Sequence, residues 1–126
     1  MKARIINTIP EKVILYRLDE FTHKITKIAQ GLNITVKVLE CNQAGELLGF
    51  LAGYDNFSSN YSEIQSEISC LILSGLTDNS LNKFLNKLRS QGISIPYKAI
   101  VTPSNQNWSL DELANELVKE HQLLGG

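Results

Sequence analysis

The residues best suited to ligand chemistry lie in the last third of the chain. Thr102, Asn105 and Trp108 occupy one polar stretch, with Lys98 before it and His121 after it. A lysine amine or an imidazole can transfer a proton, and threonine and asparagine side chains can orient a polar substrate through hydrogen bonds. One hypothesis is therefore a small enzyme that uses Lys98 or His121 for proton transfer. It requires both groups to face one pocket with carboxylates nearby.

The same stretch also has a structural interpretation. Residues 102–105 contain the proline and asparagine typical of a tight turn, in which the asparagine side chain bonds its local backbone. Ser109 and Glu112 have the spacing of a capping box, which satisfies free backbone donors at a helix start. Trp108 and Leu113 then stand at the two positions of a hydrophobic staple. This interpretation predicts a buried tryptophan that packs on Leu113 and the sheet.

Lys98 and His121 have equally ordinary explanations. Lys98 is expected on the solvent side of a strand, and Lys37 occupies the corresponding place earlier in the chain. His121 lies near the end of a predicted helix, where a positive charge complements the helix dipole. We therefore favour a non-enzymatic binding or regulatory module over an enzyme. Its expected site is the segment 102–108, which would bind a protein partner or a small polar molecule at the rim of a sheet.

Other patterns of catalysis and cofactor binding are absent from the sequence. No glycine-rich phosphate loop occurs, and the spacing of Gly45 and Gly49 is expected to be accidental and to lie inside a helix. Cys41 and Cys70 are far apart and in no metal or redox spacing, so both are expected as free thiols. With only two histidines in the chain, a zinc site is not expected either. We therefore predict no cofactor and no metal.

Composition narrows the classes further. A chain of 126 residues with 43% hydrophobic and 20% charged residues is typical of one folded domain, here residues 1–126. A net charge of −1 argues against nucleic acid as a partner. No apolar run is long enough to span a membrane, and residues 1–10 lack the features of a secretory signal. A cytoplasmic location and no membrane partner follow as expectations, and the oligomeric state stays open.

Hydrophobic patterning predicts four strands and four helices in alternation. The strands are predicted near residues 12–18, 33–39, 69–75 and 97–102, and the helices near 19–31, 43–52, 78–91 and 109–122. Asp19 is the expected N-cap of the first helix. The stretch 53–66 is rich in Ser, Asn and Tyr and is expected to be a loop between the two halves of the chain.

The two halves, about 12–52 and 69–122, resemble each other. Residues 13–18 and 71–76 share their apolar positions, and residues 30–34 and 91–95 share a Gln-Gly pair in the same place. We predict a duplicated βαβα unit, which gives an α/β fold with a four-stranded, mainly parallel sheet and helices on both faces. A ferredoxin-like α+β sheet is the alternative.

Two expectations about the site depend on this duplication. The second half is expected to carry extra polar residues between its last strand and last helix, which would make the segment 102–108 an elaborated loop. In a parallel sheet this loop would share one edge with Asp19, Asn42 and Thr77. The working surface is then expected at that edge and not on the helix lysines Lys83 and Lys87.

The second half also resembles a known family. The similarity covers residues 70–122, and its marks are a Pro-Tyr-Lys-Ala strand at 96–99, a Thr-Pro-x-Asn turn at 102–105 and the Trp before the last helix. In these features it is similar to a small bacterial family of domains of unknown function. The resemblance implies no reaction. It directs attention to the matching positions, which are Lys98, Thr102, Asn105, Trp108 and His121.

Overall fold

The computed structural model describes residues 10–59 and 62–123, so most of the segment considered for a secretory signal lies outside the described range. The bounds of the regular elements are β1 Lys12–Tyr16, α1 Thr22–Gly31, β2 Thr35–Val38, α2 Leu48–Ala52, β3 Cys70–Ser74, α3 Asp78–Ser90, β4 Lys98–Ile100 and α4 Leu110–Leu123. Strands and helices alternate as predicted. The predicted helix 43–52 is instead a 3₁₀ turn, Cys41–Gln43, followed by the short α2. None of the described helices has the length and apolar character needed to cross a membrane.

The sheet contains four strands in the order β2-β1-β3-β4. β1 pairs with β2, and β3 pairs with β4, in parallel, as βαβ units require. β1 and β3 are antiparallel, with Ile14 opposite Ile72 at the centre. Two of the three pairings are therefore parallel, which confirms the mainly parallel α/β sheet. Helices cover both faces, unlike in the ferredoxin-like alternative.

The two faces of the sheet carry separate apolar layers, because successive strand residues point to opposite faces. In β1, Val13 and Leu15 face α1 and α3, whereas Ile14 and Tyr16 face α2 and α4, and all four are fully buried. The helix residues that meet the first layer are Ile25, Ile28, Ala29, Phe84 and Leu88, and those that meet the second are Leu48, Leu51, Ala52, Leu110 and Leu113. The sheet is thus held between one pair of helices on each face.

Helix α1 begins later than the sequence predicts. Its N-cap position is Phe21, which makes no side-chain capping bond, so the expectation that Asp19 caps this helix is wrong. The chain leaves β1 through Arg17, whose φ of 56° is left-handed. It then makes a turn in which the Thr22 N–H donates to the main-chain oxygen of Asp19. Asp19 therefore supports the turn with its carbonyl, and its carboxylate does not cap α1.

Equivalent hydrogen bonds recur in the two halves. The Leu39 N–H donates to Leu15 O, and the Val101 N–H donates to Leu73 O, each at 2.9 Å. The two acceptors, Leu15 and Leu73, are 58 positions apart, whereas the two donors, Leu39 and Val101, are 62 positions apart. The additional residues of the second half therefore lie between its two strands.

The expectation of an elaborated loop after β4 is consequently wrong. Leu48 and Leu110, the first residues of α2 and α4, also stand 62 positions apart. The two halves thus have equal numbers of residues between the second strand and the last helix. The sequence is misleading here because the dipeptides at 42–43 and 105–106 are identical, although they are one position out of register.

The antiparallel centre also separates the predicted rim residues. Asp19 and Asn42 follow the carboxyl ends of β1 and β2, at one end of the sheet. Thr77 and the segment 102–108 follow β3 and β4, at the opposite end. The expectation of one shared edge therefore holds for Thr77 and is wrong for Asp19 and Asn42.

Candidate functional site

The turn at residues 102–105 is closed by its own polar side chains. The Thr102 N–H donates to Asn105 Oδ1 at 2.8 Å, and the Asn105 N–H lies 3.3 Å from Thr102 Oγ1. Asn105 Nδ2 donates to Ile100 O at 3.0 Å. These bonds match the turn interpretation, in which both side chains bond local backbone. Thr102 and Asn105 therefore position the loop that follows them.

The first half makes the same turn with different residues. Glu40 and Gln43 stand 62 positions before Thr102 and Asn105, and the Glu40 N–H donates to Gln43 Oε1 at 2.8 Å. The Glu40 side chain completes the reciprocal capping bond. Because both halves use this arrangement, it belongs to the common framework of the fold.

The amino termini of α2 and α4 dock against each other's preceding segment. Four main-chain bonds make this contact, and in them the N–H groups of Leu48, Gly49, Leu110 and Asp111 donate to the carbonyls of Trp108, Gln106, Glu46 and Ala44, respectively, at 2.8–3.0 Å. The first N–H groups of a helix lack partners within the helix, so this exchange satisfies donors that would otherwise be exposed or unpaired. It also ties residues 106–109 to the start of α2.

A cleft lies beside this rigid contact. One wall is the segment 54–59, which follows α2, and the opposite wall is formed by Leu47, Gln106 and Asn107. Its volume is about 620 Å³, which suits a small organic molecule or a short peptide segment. The segment 102–108, predicted as a binding loop, thus contributes two of its residues to a concave surface.

Two glycines allow the wall 54–59 to fold back onto α2. The ring of Phe57 lies so close to Gly49 that a Cβ there would come within 2.5 Å of it. The chain reverses after α2 at Gly53, whose φ of 86° is left-handed, and Tyr54 packs edge-on against Phe57 with ring centroids 6.4 Å apart. Gly49 therefore has a structural role, since its missing side chain leaves room for the Phe57 ring.

The carboxyl end of α2 is bonded by a lysine at the start of the inner strand β1. Lys12 Nζ donates to Ala52 O at 3.2 Å, which satisfies a carbonyl at the helix end. Partial burial lowers the pKa of Lys12, and the nearby charge of Lys37 lowers it further. Lys12 therefore fixes the point from which the wall 54–59 departs.

A buried carboxylate lies behind the cleft. Glu46 is only 5% exposed, and Ser59 Oγ donates to its Oε2 at 2.7 Å. The bond ties the end of the wall 54–59 to the segment before α2. The sequence interpretation missed Glu46 because a helix over 43–52 treats it as an ordinary polar residue. Glu46 stands just before an apolar run, where the N-cap of a helix is expected, and this position is the signal in the sequence that could have indicated a structural role.

Trp108 differs from its predicted environment. Its side chain is 37% exposed and lines a groove on α4 with Glu112 and Glu116, whereas Leu113 is buried in the core. The prediction of a buried, core-packed tryptophan is therefore wrong. The capping box is confirmed, because the Ser109 N–H donates to Glu112 Oε1 at 2.9 Å and the Glu112 N–H donates to Ser109 Oγ at 3.1 Å.

Lys98 and His121 lie on opposite faces of the sheet. Lys98 Nζ donates to Ile95 O at 2.6 Å, beside α3. His121 is exposed on α4, where its ring packs edge-on against Tyr97 with centroids 5.5 Å apart. Consecutive residues such as Tyr97 and Lys98 point to opposite sides of a strand. The two candidate proton-transfer groups therefore do not share a pocket.

A model of a known family matches the second half of the chain. Residues 69–124 match the family described as Domain of unknown function (DUF3783). The resemblance of this half to a family of unknown function is confirmed to that extent, and the match covers one βαβα unit with β3, α3, β4 and α4. Comparisons with curated proteins and with solved structures give no match.

Proposed function

We propose that this protein is a non-enzymatic binding module whose ligand occupies the cleft between the segment 54–59 and the pair Gln106 and Asn107. The observation that supports this proposal is the concave surface of about 620 Å³ next to a loop held by main-chain bonds. Rigid support of exposed polar side chains lowers the entropy cost of binding. The separation of Lys98 from His121 weighs against the proton-transfer alternative.

The lining of the cleft indicates the class of ligand. Asn56, Ser58 and Asn107 present exposed amide and hydroxyl groups, and Tyr54 and Phe57 add aromatic rings. Asp55 is the one charged residue among the described lining residues. A lining with a carboxylate and no base disfavours anions. The proposed ligand is therefore a neutral or cationic polar molecule with both donors and acceptors.

The residues singled out by the sequence take different parts in this proposal. Thr102 and Asn105 hold the loop through their turn bonds, so they position Gln106 and Asn107. Trp108 contributes its carbonyl to the docking of α2, and its ring lies on the neighbouring groove of α4. Lys98 and His121 lie outside the proposed cleft.

A thermal-shift screen tests the proposal. Sugars, free amino acids, polyamines and nucleotides are added in turn to the full chain, and neutral or cationic compounds are expected to raise the melting temperature. Asn107→Ala should remove that shift because the amide lines the cleft. Asn82→Ala, on the exposed face of α3, is the matched control and should keep the shift.

A second variant tests the charge preference. Asp55→Lys should weaken binding of a cationic hit and leave a neutral hit less affected. The proposal fails if the responding compounds are anionic, or if Asn107→Ala and Asn82→Ala retain the shift equally.

A further inference from the structure

Besides the cleft, the described part of the chain has an unpaired strand edge, which is the outer edge of β4. The strand order places β4 at one end of the sheet, paired with β3 alone. Tyr97 O accepts a bond from Leu71 N–H, and Val101 N–H donates to Leu73 O, so these residues direct their main-chain groups toward β3. Alternate residues of a strand direct theirs the other way. Lys98 and Ile100 therefore present main-chain groups to the outside.

The side chains beside this edge form a groove against α3. Its apolar lining comes from Leu85, Leu88, Ile93 and Ile95, and its volume is about 410 Å³. Ile100 lies on the same side of β4 as Lys98 and is 47% exposed, which extends the apolar surface along the strand. An extended chain lying along β4 could thus bond the strand and place alternate side chains over this groove.

The groove lies where the second half has additional residues. Ile34 and Ile93 each donate a bond back to the preceding helix, to Ala29 O and Leu88 O, and they are 59 positions apart. Val36 and Lys98 pair at equivalent places with β1 and β3 and are 62 positions apart. Three additional residues therefore separate the helix from the strand in the second half. They form the part of the groove near Ile95 and Lys98.

The charges at the groove are of one sign. Arg89 and Lys98 belong to its lining, and no carboxylate occurs among the described lining residues. A ligand that brings negative charge to this edge would therefore gain electrostatic attraction, whereas a basic ligand would be repelled.

We propose that β4 and the groove against α3 bind an extended, acidic peptide segment of a partner protein by addition of a strand to the sheet. Lys98 and the N–H of Ile100 pair with the peptide backbone. Apolar side chains of the peptide pack on the exposed Ile100 and the partly buried Leu85, and acidic side chains approach Arg89 and Lys98. The Ile100 carbonyl is taken by Asn105 Nδ2, which limits the pairing to a short segment.

The opposite edge of the sheet provides an internal control. Val38 stands 62 positions before Ile100, at the equivalent place in β2, and is 51% exposed. The preceding residue of β2 is Lys37, whose amine lies 5.8 Å from the ring centroid of Phe50 on the α2 face. The two edges therefore offer similar apolar exposure, and the groove with Arg89 distinguishes β4.

Selection from a random dodecapeptide library displayed on phage tests this proposal. The full chain is immobilised, and the enriched peptides are expected to alternate apolar with acidic residues. The best peptide, labelled with fluorescein, is then titrated by fluorescence polarisation. Ile100→Asp should raise its Kd about tenfold or more, whereas Val38→Asp should change it about twofold or less. Arg89→Glu should raise the Kd of the acidic peptide and lower the Kd of a version in which lysine replaces the acidic residues.

Backbone amide shifts complete the experiment. The ¹⁵N–¹H signals of Lys98 and Ile100 should move most on adding the peptide, because their N–H groups gain partners. The proposal is overturned if no peptide is enriched, if the enriched peptides lack acidic residues, or if Ile100→Asp and Val38→Asp weaken binding equally. Concentration-dependent dimerisation that Ile100→Asp abolishes would also overturn it, since the edge would then pair with a second copy of the chain.

Discussion

The two halves of the molecule share a framework and differ in what they place around it. Both contain the reciprocal turn before the last helix, and each helix start donates to the other half. Helix α2 is short and ends at Ala52, so the chain turns at Gly53 and forms one wall of the cleft. α4 instead continues as a helix over Leu110–Leu123. The second half instead lengthens the connection before β4, where the groove lies.

Equivalent positions show the same division. Glu46 and Trp108 stand 62 positions apart and both accept a bond from the opposite helix start. The carboxylate is buried and the indole is half exposed, which reverses the usual preference of the two residue types. The repeated main-chain bonds thus form the scaffold, and the cleft and the groove lie where one half departs from the other.

The largest expected effect is at Gly49. Gly49→Ala would place a methyl group against the Phe57 ring, and we expect a loss of about 2–3 kcal/mol in the free energy of unfolding, as for other overpacked sites. Asp111→Ala, at the equivalent position of α4, should cost about 0.5 kcal/mol through loss of a favourable helix-dipole charge. Urea unfolding measures both. Equal stability of the two variants would show that Phe57 is not seated on Gly49.

The next largest loss of stability is expected for a glutamate and not for the tryptophan at the equivalent position. Glu46→Ala should destabilise by about 2 kcal/mol, because it removes the buried partner of Ser59. Trp108→Ala should cost about 1 kcal/mol, less than the truncation of a buried tryptophan, since its ring is 37% exposed. Chemical denaturation of both variants checks the order. A larger loss for Trp108→Ala would mean that the indole packs into the core after all.

A smaller effect is expected at the repeated turn. Asn105→Ala should cost about 1.5 kcal/mol, and Gln43→Ala about 1 kcal/mol, because Asn105 also bonds Ile100 O. Melting temperatures of the two variants measure the difference. A Gln43→Ala variant that loses far more stability would show that the two turns are not equivalent supports.

The smallest effect concerns the one cysteine in each half. Burial raises the pKa of the Cys70 thiol from 9.0 to about 12, so it stays protonated in the folded protein where the unfolded thiol would ionise. Folding stability linked to Cys70 should therefore decline as pH rises above about 9. A thiol reagent should label Cys41, which is exposed, in the native protein. Rapid native labelling of both thiols would contradict the burial of Cys70.

The sequence determined the elements of this fold and several of its local bonds. Alternating apolar runs and helical stripes depend on neighbours a few residues apart, so they placed all four strands and the three longer helices close to their observed positions. The spacing of Ser109 and Glu112 likewise identified the capping box. These features involve contacts at short sequence separation, for which the residue types carry the information directly.

The way the halves meet and the positions of the open surfaces depend on tertiary contacts that the sequence pattern leaves open. The antiparallel pairing of β1 with β3 places the carboxyl ends of the strands of the two halves at opposite ends of the sheet. The apolar pattern of the strands suits either direction. The seat of Phe57 on Gly49 and the exposure of Trp108 depend on how separate segments pack. Such contacts are set by the shapes of distant elements, and a residue type specifies its own chemistry but not the neighbour it will meet.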